Sequence, residues 1–488
     1  MQPTPLLQFE FFDECLYTSL DLETGAAEFD SEFLTRCFIL KLLTAVLGLL
    51  LLSGCASYGV IDNTRLTPES TPTKPYSIAA LSGREGSPDI ALTLAFSGGG
   101  TRAAALAYGV LEELRDTTVM IDGQPHRLLD EIDNISSVSG GSFTSAYYGL
   151  YGERIFEDYK KVFLTRDVEK QLLYGLLNPL RWFSTKGRTQ MAVELYEKEV
   201  FHGATFADMQ RADGPLIVIN ASDLGYGVRF SFVQEYFNLL CSDINSFPVA
   251  RAVTASSAVP LVFNPVVLED YKDCAEKRNP EWEEISAQRI AGNPALAQIV
   301  RGLETYSFAD RTYVHLVDGG ITDNLGLRAI YTVMLLSGGP QNFYSKTHHT
   351  KLPRHIAVIS VNASTDPEPA MDETNKQPSI GETIDSMSNV QLHLYNDATI
   401  DLMQNSLAQW TKGVSTPDWP VRSHFVKLGF TDIKQPEQRQ FFNSIPTSFS
   451  LTEEQVDRLI EAGHELLRNN PDYQQFLAEL GGAVTGSK

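Results

Sequence analysis

Basic residues are scarce in this sequence, and their scarcity limits what the chain can bind. Its 488 residues include 39 lysines and arginines against 61 aspartates and glutamates, which gives a net charge of −22 at pH 7. A nucleic-acid-binding face needs clustered cations to contact phosphates. The composition therefore excludes a nucleic-acid partner, and we expect any contact with a membrane to depend on apolar side chains or on a covalent anchor.

Cysteine is also rare, and its positions show no metal-binding pattern. The five cysteines are Cys15, Cys37, Cys55, Cys241 and Cys274. No Cys-x-x-Cys pair or clustered Cys/His spacing occurs, and the adjacent His348 and His349 have no third ligand nearby in the sequence. The sequence therefore predicts no metal site and no cofactor.

No apolar run is long enough to cross a bilayer, which takes about 20 residues. The longest run, residues 42–52, follows Arg36 and Lys41 and precedes Ser-Gly-Cys at 53–55, the order found in signal peptides. Residues 52–55 resemble a bacterial lipobox, which implies that Cys55 receives a diacylglyceryl group and becomes the first mature residue. The alternative is an unmodified thiol behind an ordinary signal peptide.

The first 34 residues do not resemble the start of a signal peptide. They carry eight acidic side chains and no basic one, whereas such a start is positively charged. We expect translation to begin near Leu34, so that residues 1–33 are not made; the alternative is a cytoplasmic extension. Residues 1–54 then form the signal region. Ala56, in place of aspartate, fits sorting to the outer membrane, and the predicted location is the bacterial cell envelope with a lipid anchor.

Export also predicts a disulfide. Once the signal region is removed and Cys55 is lipidated, Cys241 and Cys274 are the remaining cysteines, and an exported protein matures in an oxidising compartment. We expect them to be bonded to each other. The alternative is two separate buried thiols.

Short apolar runs alternate with helix-length segments along residues 90–365. Ile90–Phe96 leads through a glycine turn into a helical pattern, and residues 135–138 lead through Ser-Gly-Gly into a second one at 142–151. Further strand candidates are residues 216–220, 314–317 and 356–361. This alternation predicts a mainly parallel sheet covered by helices on both faces. Residues 55–89, rich in Ser, Thr, Pro and Gly, are expected to be a tether.

Three turns at strand ends carry the chemically suggestive residues. Residues 98–102 (Gly-Gly-Gly-Thr-Arg) open a helix, where converging N–H groups favour an anion such as the oxyanion of acyl transfer. Arg102 adds positive potential there or forms a surface salt bridge. Residues 137–141 (Ser-Val-Ser-Gly-Gly) have the strand-to-helix setting of a nucleophile elbow, with Ser139 as nucleophile or as a plain helix cap. Asp318 follows a strand and is either catalytic or part of a common Asp-Gly turn.

Together the three turns resemble, in order and spacing, the patatin-like phospholipase family. The oxyanion loop of that family is matched by Gly98, Gly99 and Gly100. Its nucleophile elbow is matched by Ser139 with Gly140 and Gly141, and its Asp-Gly-Gly motif by Asp318 with Gly319 and Gly320. Residues 255–260 resemble a further family block, to which we assign no chemistry. Departures are Ser137 in the elbow and Ala103 in the loop, both small-for-small changes. The resemblance covers residues 90–362 and implies a three-layer α/β fold.

The resemblance also implies a lipid acyl hydrolase that works through a Ser–Asp dyad. Asp318 would accept the proton of Ser139, the serine would form an acyl-enzyme, and water would release the fatty acid from a phospholipid or another acyl lipid. The alternative mechanism is a Ser-His-Asp triad. His315 is expected on the face of its strand opposite to Asp318, whereas His202 and His424 remain candidates for the histidine of such a triad. Two other functions remain: an acyltransferase, and a catalytically silent lipid-binding lipoprotein.

Beyond the catalytic domain, residues 366–488 are expected to form a mostly helical α/β appendage. A helix is predicted around 384–403, a strand at 424–428, and a last helix that begins at a capping box of Thr452 and Gln455. Residues 275–311 are polar and helix-rich. We expect a solvated helical excursion there, with a lid over the site as the alternative.

Overall fold

The computed structural model describes residues 58–67, 74–79, 87–121, 123–168, 170, 187–260, 262–272, 274, 285–308, 310–347, 351–366 and 370–481. The predicted signal region and Cys55 lie outside these residues. The chain divides into two compact units, Met1–Tyr58 and Gly59–Lys488. The second unit contains the sheet and the helices described below.

The elements are numbered in chain order. The strands are β1 (Thr64–Arg65), β2 (Ile90–Phe96), β3 (Thr118–Ile121), β4 (Gln124–Arg127), β5 (Ile132–Val138), β6 (Leu216–Asp223), β7 (Val228–Ser231), β8 (Ser242–Asp243), β9 (Val266–Glu269), β10 (Tyr313–Val317), β11 (His355–Asn362) and β12 (Arg422–Gly429). The α-helices are α1 (Gly100–Asp116), α2 (Gly140–Tyr151), α3 (Ile155–Tyr159), α4 (Arg188–Tyr196), α5 (Gln234–Leu239), α6 (Val249–Ser256), α7 (Ala287–Ala291), α8 (Pro294–Glu304), α9 (Gly320–Asp323), α10 (Leu327–Ser337), α11 (Pro340–Asn342), α12 (Ile380–Val414), α13 (Pro436–Asn443), α14 (Glu453–Arg468) and α15 (Pro471–Glu479).

The central sheet has the strand order β12-β11-β2-β5-β6-β10-β9, and β7 pairs with β6. The pairs from β12 to β6 are parallel, whereas β10 runs antiparallel to β6 and to β9. The sheet is therefore mixed and mainly parallel, as predicted. Parallel strands are stable only when both faces are covered.

Both faces of the sheet are buried, and β11 shows how. Its alternate residues Ala357, Ile359 and Val361 belong to one hydrophobic cluster, while Ile356 and Val358 belong to another. Because successive side chains of a strand point to opposite faces, the two clusters lie on opposite sides of the sheet. The three-layer α/β fold expected from the sequence is confirmed.

The C-terminal segment is part of the same packed unit and not an appendage. β12 pairs along its full length with β11, which places it at the edge of the central sheet. Helix α14 begins at the predicted capping box of Thr452 and Gln455 and packs against α1. The backbones approach closely there, because a Cβ on Gly463 would lie 2.7 Å from Leu106 O and 2.9 Å from Val110 N. The boundary expected at residue 365 therefore does not separate two packed bodies.

The segment expected to be a tether is also packed where it is described. β1 pairs with β8, and Leu66 donates a backbone hydrogen bond to Cys241 O. Tyr76 is buried, and its hydroxyl donates to Ile217 O in β6 over 3.0 Å. Residues 59–67 and 74–79 thus form part of the folded body of the second unit, and a free tether is wrong for them.

The predicted disulfide joins Cys241 and Cys274, with the two Cα atoms 5.5 Å apart. Within residues 275–311, the described part is helical, and α8 buries Leu296, Val300 and Leu303. A solvated excursion is therefore wrong for α8, which packs against α10. A lid role for this segment stays a prediction.

Because α14 and α1 are in close contact, we predict that one added methyl group at Gly463 destabilises the fold. Gly463→Ala would push a Cβ into the backbone of α1, so we expect a loss of about 1–3 kcal/mol in the free energy of unfolding. Gly413→Ala is the matched control, because a Cβ on that helical glycine of α12 meets no atom within 4 Å. The control should be neutral or stabilising by up to about 1 kcal/mol. Equal stabilities of the two variants in urea unfolding would contradict the packing described here.

Candidate active site

Ser139 lies in a tight turn between β5 and α2. Its backbone adopts φ 49° and ψ −121°, a positive-φ conformation that costs a non-glycine residue on the order of 1–3 kcal/mol. Two contacts hold it: the Ser139 N–H donates to Ser256 Oγ over 2.8 Å, and Gly140 lies directly against Gly100 O, where any Cβ would overlap. Ser139 makes no side-chain cap of α2. The turn therefore has the geometry of a nucleophile elbow.

Asp318, directly after β10, contacts the Ser139 side chain. The Ser139 hydroxyl donates to Asp318 Oδ2 over 2.8 Å, and the Gly320 N–H donates to Asp318 Oδ1 over 2.8 Å. β10 is antiparallel to its neighbour, in contrast to the parallel arrangement expected around this aspartate. It ends beside β6, where Gly319 lies directly against Asn220 O, level with the end of β5.

Burial sets the protonation of this carboxyl group. Removal from water raises the pKa of Asp318 to about 6, while the hydrogen bonds from the Gly320 N–H and the Ser139 hydroxyl lower it. The desolvated carboxylate is a stronger base than an exposed aspartate and is still ionised at neutral pH. It can therefore accept the hydroxyl proton of Ser139.

None of the described histidines hydrogen-bonds to Ser139 or Asp318. His315 is exposed on β10, and the exposed His202 ring pairs with Lys198 O. His424 lies in β12, and burial lowers its pKa to about 4. A Ser-His-Asp triad is therefore not formed by these residues. His348 and His349 lie outside the described residues.

The glycine turn lies against the elbow. A Cβ on Gly98 would be 3.3 Å from Ser139 Cβ. The Gly98 N–H donates to Asn324 O over 3.0 Å. Because this N–H already has a partner, the prediction that Gly98 donates to the oxyanion is wrong. Within the described part of the chain, no backbone carbonyl accepts from Gly99 N–H or Gly100 N–H outside regular elements. Both residues have positive φ, 137° and 60°, which glycine adopts without strain.

The Arg102 side chain is buried, donates several hydrogen bonds and is not part of a surface salt bridge. Its side chain donates to Ala363 O over 2.8 Å, to Ile445 O and to Thr447 Oγ1 over 3.0 Å. No ion pair of Arg102 occurs among the described residues, and burial lowers its pKa to about 10. It remains a cation at neutral pH beside Gly99. The predicted positive potential at the glycine turn is therefore compatible with this position.

The block at residues 255–260, to which no chemistry was assigned, holds both halves of the dyad in position. Ser256 Oγ accepts the Ser139 N–H and donates to Asn220 O over 2.6 Å. The Asp318 N–H donates to Ala258 O over 3.0 Å, and the Gly319 N–H donates to Ser256 O over 3.0 Å. These are positioning contacts. Neither they nor the role of Asn324 could be read from the sequence without the three-dimensional arrangement.

The departure at Ser137 is accommodated by the structure. Ser137 is fully buried in β5, and its Oγ accepts a hydrogen bond of 2.6 Å from Ser145 Oγ in α2. The small side chain thus fits between the strand and the helix, and its polar atom has a partner. The elbow is complete without a glycine at this position.

The absence of a metal site stays a prediction, but the structure brings together one candidate group of ligands. Within the part of the chain that the structure describes, one group of side chains could hold a metal ion: His355, His424 and Glu479. These residues are separated by 69 and 55 positions, so no local spacing reveals them. They lie at the start of β11 and β12, away from the strand end that carries Ser139.

The raised pKa of Asp318 predicts an acid limb in the pH profile. Asp318 must be ionised to accept a proton, so kcat/KM for a soluble ester should fall about tenfold per pH unit below the pKa of about 6 and level off above it. Circular dichroism at each pH would establish that the chain remains folded. A flat profile between about pH 5 and pH 7, with folded protein throughout, would exclude Asp318 as the base.

Two comparisons with known proteins gave matches. Residues 94–331 match the family model described as patatin-like phospholipase. The structure is similar to human GIVD cytosolic phospholipase A2, at 12% identity and a TM-score of 0.40 over 82% of this chain and 64% of that chain. A complex of that enzyme with methyl gamma-linolenyl fluorophosphonate inhibitor and terbium chloride gives 13% identity and a TM-score of 0.39 over 87% and 66%. The chain thus spans less than two thirds of that phospholipase.

No curated protein sequence matched the chain. The family match covers all three turns, from the strand before Gly98 to the helix after Asp318, and it coincides with the sheet and the elbow described above. The part of the chain that matches the patatin-like phospholipase family model is therefore the part that carries Ser139 and Asp318.

Proposed function

We propose that the chain hydrolyses carboxylic ester bonds of acyl lipids, with Ser139 as nucleophile and Asp318 as proton acceptor. The observation that carries this proposal is the 2.8 Å hydrogen bond from Ser139 Oγ to a buried carboxylate, at a strained turn. A structural serine needs neither a positive φ nor a desolvated carboxylate, since both destabilise the fold. Such costs are typical of catalytic sites.

The reaction proceeds in two balanced halves. Ser139 Oγ attacks the ester carbonyl while its proton passes to Asp318, and the resulting tetrahedral intermediate expels the alcohol, which takes the proton from Asp318. Water then attacks the acyl-serine, again giving a proton to Asp318, and the fatty acid leaves as the proton returns to Ser139 Oγ. One carboxylate serves both halves.

The negative charge that develops on the carbonyl oxygen needs donors that are in place beforehand. We assign this role to the N–H groups of Gly99 and Gly100, because the Gly98 N–H is bonded to Asn324 O. The buried guanidinium of Arg102 adds a positive charge beside the turn, since its pKa is about 10. Preorganised donors of this kind contribute about 3–4 kcal/mol to transition-state stabilisation.

The first test is the release of fatty acid from a mixed lipid panel, followed by mass spectrometry. Ser139→Ala and Asp318→Asn should each lower the rate by at least about 10³-fold, and the double variant should match either single one, because the two residues act as a unit. Asp318→Asn should not lower the melting temperature, since it removes a buried charge. A folded Ser139→Ala protein with most of its activity would contradict the mechanism.

The same assay separates the two alternatives. An acyltransferase would move the acyl group to an added alcohol in preference to water. A silent lipid-binding protein would release no fatty acid and would bind lipid equally well after Ser139→Ala. Hydrolysis that is unchanged by alcohol and lost in Ser139→Ala supports the proposal.

We also propose that the chain works at a membrane surface, attached in the bacterial cell envelope through a diacylglyceryl group on Cys55. The support is the lipobox-like sequence at residues 52–55. No helix within the described ranges is both long and apolar enough to cross a membrane. An anchor of this kind holds a protein at the membrane more firmly when a second contact assists it.

Helix α12 offers such a second contact. Five large apolar side chains of its first half are exposed: Ile380, Ile384, Met387, Val390 and Leu394. At 3.6 residues per turn they fall on about one third of the helix circumference, and we call them the α12 stripe. Residues 380–394 contain acidic but no Lys or Arg residues, so the proposed occupant is a zwitterionic lipid surface.

The position of α12 links the stripe to the active site. Just beyond the stripe, Asn396 Oδ1 accepts a hydrogen bond of 3.4 Å from Asn324 Nδ2. Asn324 O in turn accepts from the Gly98 N–H of the glycine turn. A membrane that contacts the α12 stripe would therefore lie near the catalytic serine.

One charge in the α12 stripe should weaken action on vesicles selectively. In a chain with Cys55→Ser, which removes the anchor, Met387→Asp should lower the rate on phosphatidylcholine vesicles about tenfold by preventing burial of an apolar side chain. The rate on a soluble ester should not change. Asn389→Asp is the matched control, because it adds the same charge to an exposed position on the opposite side of α12. Equal effects of the two substitutions on the vesicle rate would exclude the stripe as a lipid contact.

A further inference from the structure

Three potential metal ligands converge at the end of the sheet opposite to Ser139. His355 is the first residue of β11, His424 is the third of β12, and Glu479 is the last residue of α15. In the parallel register Ala357 pairs with His424, so His355 and His424 lie on the same face of the sheet, one step apart. The C-terminal helix brings the carboxylate to the two imidazoles.

Two of the separations between the ligand atoms match those of a zinc site. His355 Nδ1 lies 3.3 Å from His424 Nε2, and His424 Nε2 lies 3.5 Å from Glu479 Oε2. With zinc bonds of about 2.0–2.1 Å, two ligands of one tetrahedral ion lie about 3.3–3.4 Å apart. All three ligand atoms lie within 4.8 Å of one another, and the side chains of His355 and Glu479 are only partly buried.

The surroundings orient the ligands. Gln475 Nε2 donates to Glu479 Oε1 over 2.9 Å, which leaves Oε2 directed at the imidazoles. Glu479 Oε2 is buried and accepts no hydrogen bond within the described residues, although Arg422 Nη1 lies 3.0 Å away without hydrogen-bond geometry. The His424 ring packs against Phe476, one turn before Glu479. Glu479 Oε2 is thus paired electrostatically with the Arg422 guanidinium, and a metal ion bound between this oxygen and the imidazoles would replace that contact.

We infer that His355, His424 and Glu479 bind one Zn²⁺ ion, with water as the fourth ligand. Two imidazoles and a carboxylate suit zinc among the first-row divalent ions. Arg422 opposes the ion electrostatically, but its side chain is 57% exposed and can turn into solvent when the ion binds.

The role of this site is structural. It would join α15 to β11 and β12, elements that lie far apart in the sequence. His424 is level with Leu92, four residues and so about 13 Å along the strand before the end of β2, and the glycine turn begins beyond that end. The zinc ion therefore does not take part in the reaction at Ser139.

The test is equilibrium dialysis of the full chain against ZnCl₂, with zinc measured by mass spectrometry. We expect one zinc ion per chain, and at 100 times the dissociation constant a rise in melting temperature of about 3 °C. Glu479→Gln keeps the packing of α15 but removes the charged ligand, and His424→Ala removes an imidazole. Each variant should abolish both the binding of zinc and the rise in melting temperature. Arg422→Gln keeps all three ligands and removes the opposing charge, so it should bind zinc several-fold more tightly.

The control is His315→Ala, which removes an exposed histidine outside the cluster and should bind zinc as the wild type does. No zinc bound by the wild type, or equal binding by wild type and Glu479→Gln, would overturn the site. EDTA should leave the rate on a soluble ester unchanged at a temperature where the chain stays folded. Loss of that rate in folded protein, restored by zinc, would overturn the structural role.

Discussion

The hydrogen bond between Ser139 and the buried carboxylate of Asp318 is the interaction around which the rest of the site is arranged. It joins the end of a parallel strand to the end of an antiparallel one, two elements with no local connection in the sequence. The Ser256 hydroxyl and the Ala258 carbonyl fix the two backbones at the distance that the bond requires. The dyad is thus held through the backbones of its two residues and does not depend on an orienting histidine.

Much of this arrangement could be predicted from local sequence patterns. The strands that end in the glycine turn and the elbow are marked by short apolar runs followed by glycines, and the observed β2 matches its predicted bounds. The capping box at Thr452 and Gln455 is present as predicted, since it depends on residues three positions apart. The last helix, α15, was missed although Asn470 and Pro471 supply the usual start signal.

What the sequence could not reveal depends on contacts between distant residues. The antiparallel direction of β10 is decided by its pairing with β6 and β9. The five residues of the strand itself contain no pattern that indicates this direction. The packing of α14 on α1 rests on two glycines 354 positions apart, Gly109 and Gly463. For the same reason the cluster of His355, His424 and Glu479 escapes any search for ligand spacing. A composition typical of a tether likewise did not exclude burial of Tyr76.

The most direct test of the account is covalent labelling of the nucleophile. A fluorophosphonate probe reacts with a serine only when its hydroxyl is activated and the adjoining donors can stabilise the negatively charged oxygen. We predict a single adduct on the peptide that contains Ser139, and labelling slowed by at least about 10²-fold in folded Asp318→Asn protein. An adduct on another serine, or an unchanged labelling rate in the Asp318→Asn variant, would contradict the Ser139–Asp318 dyad.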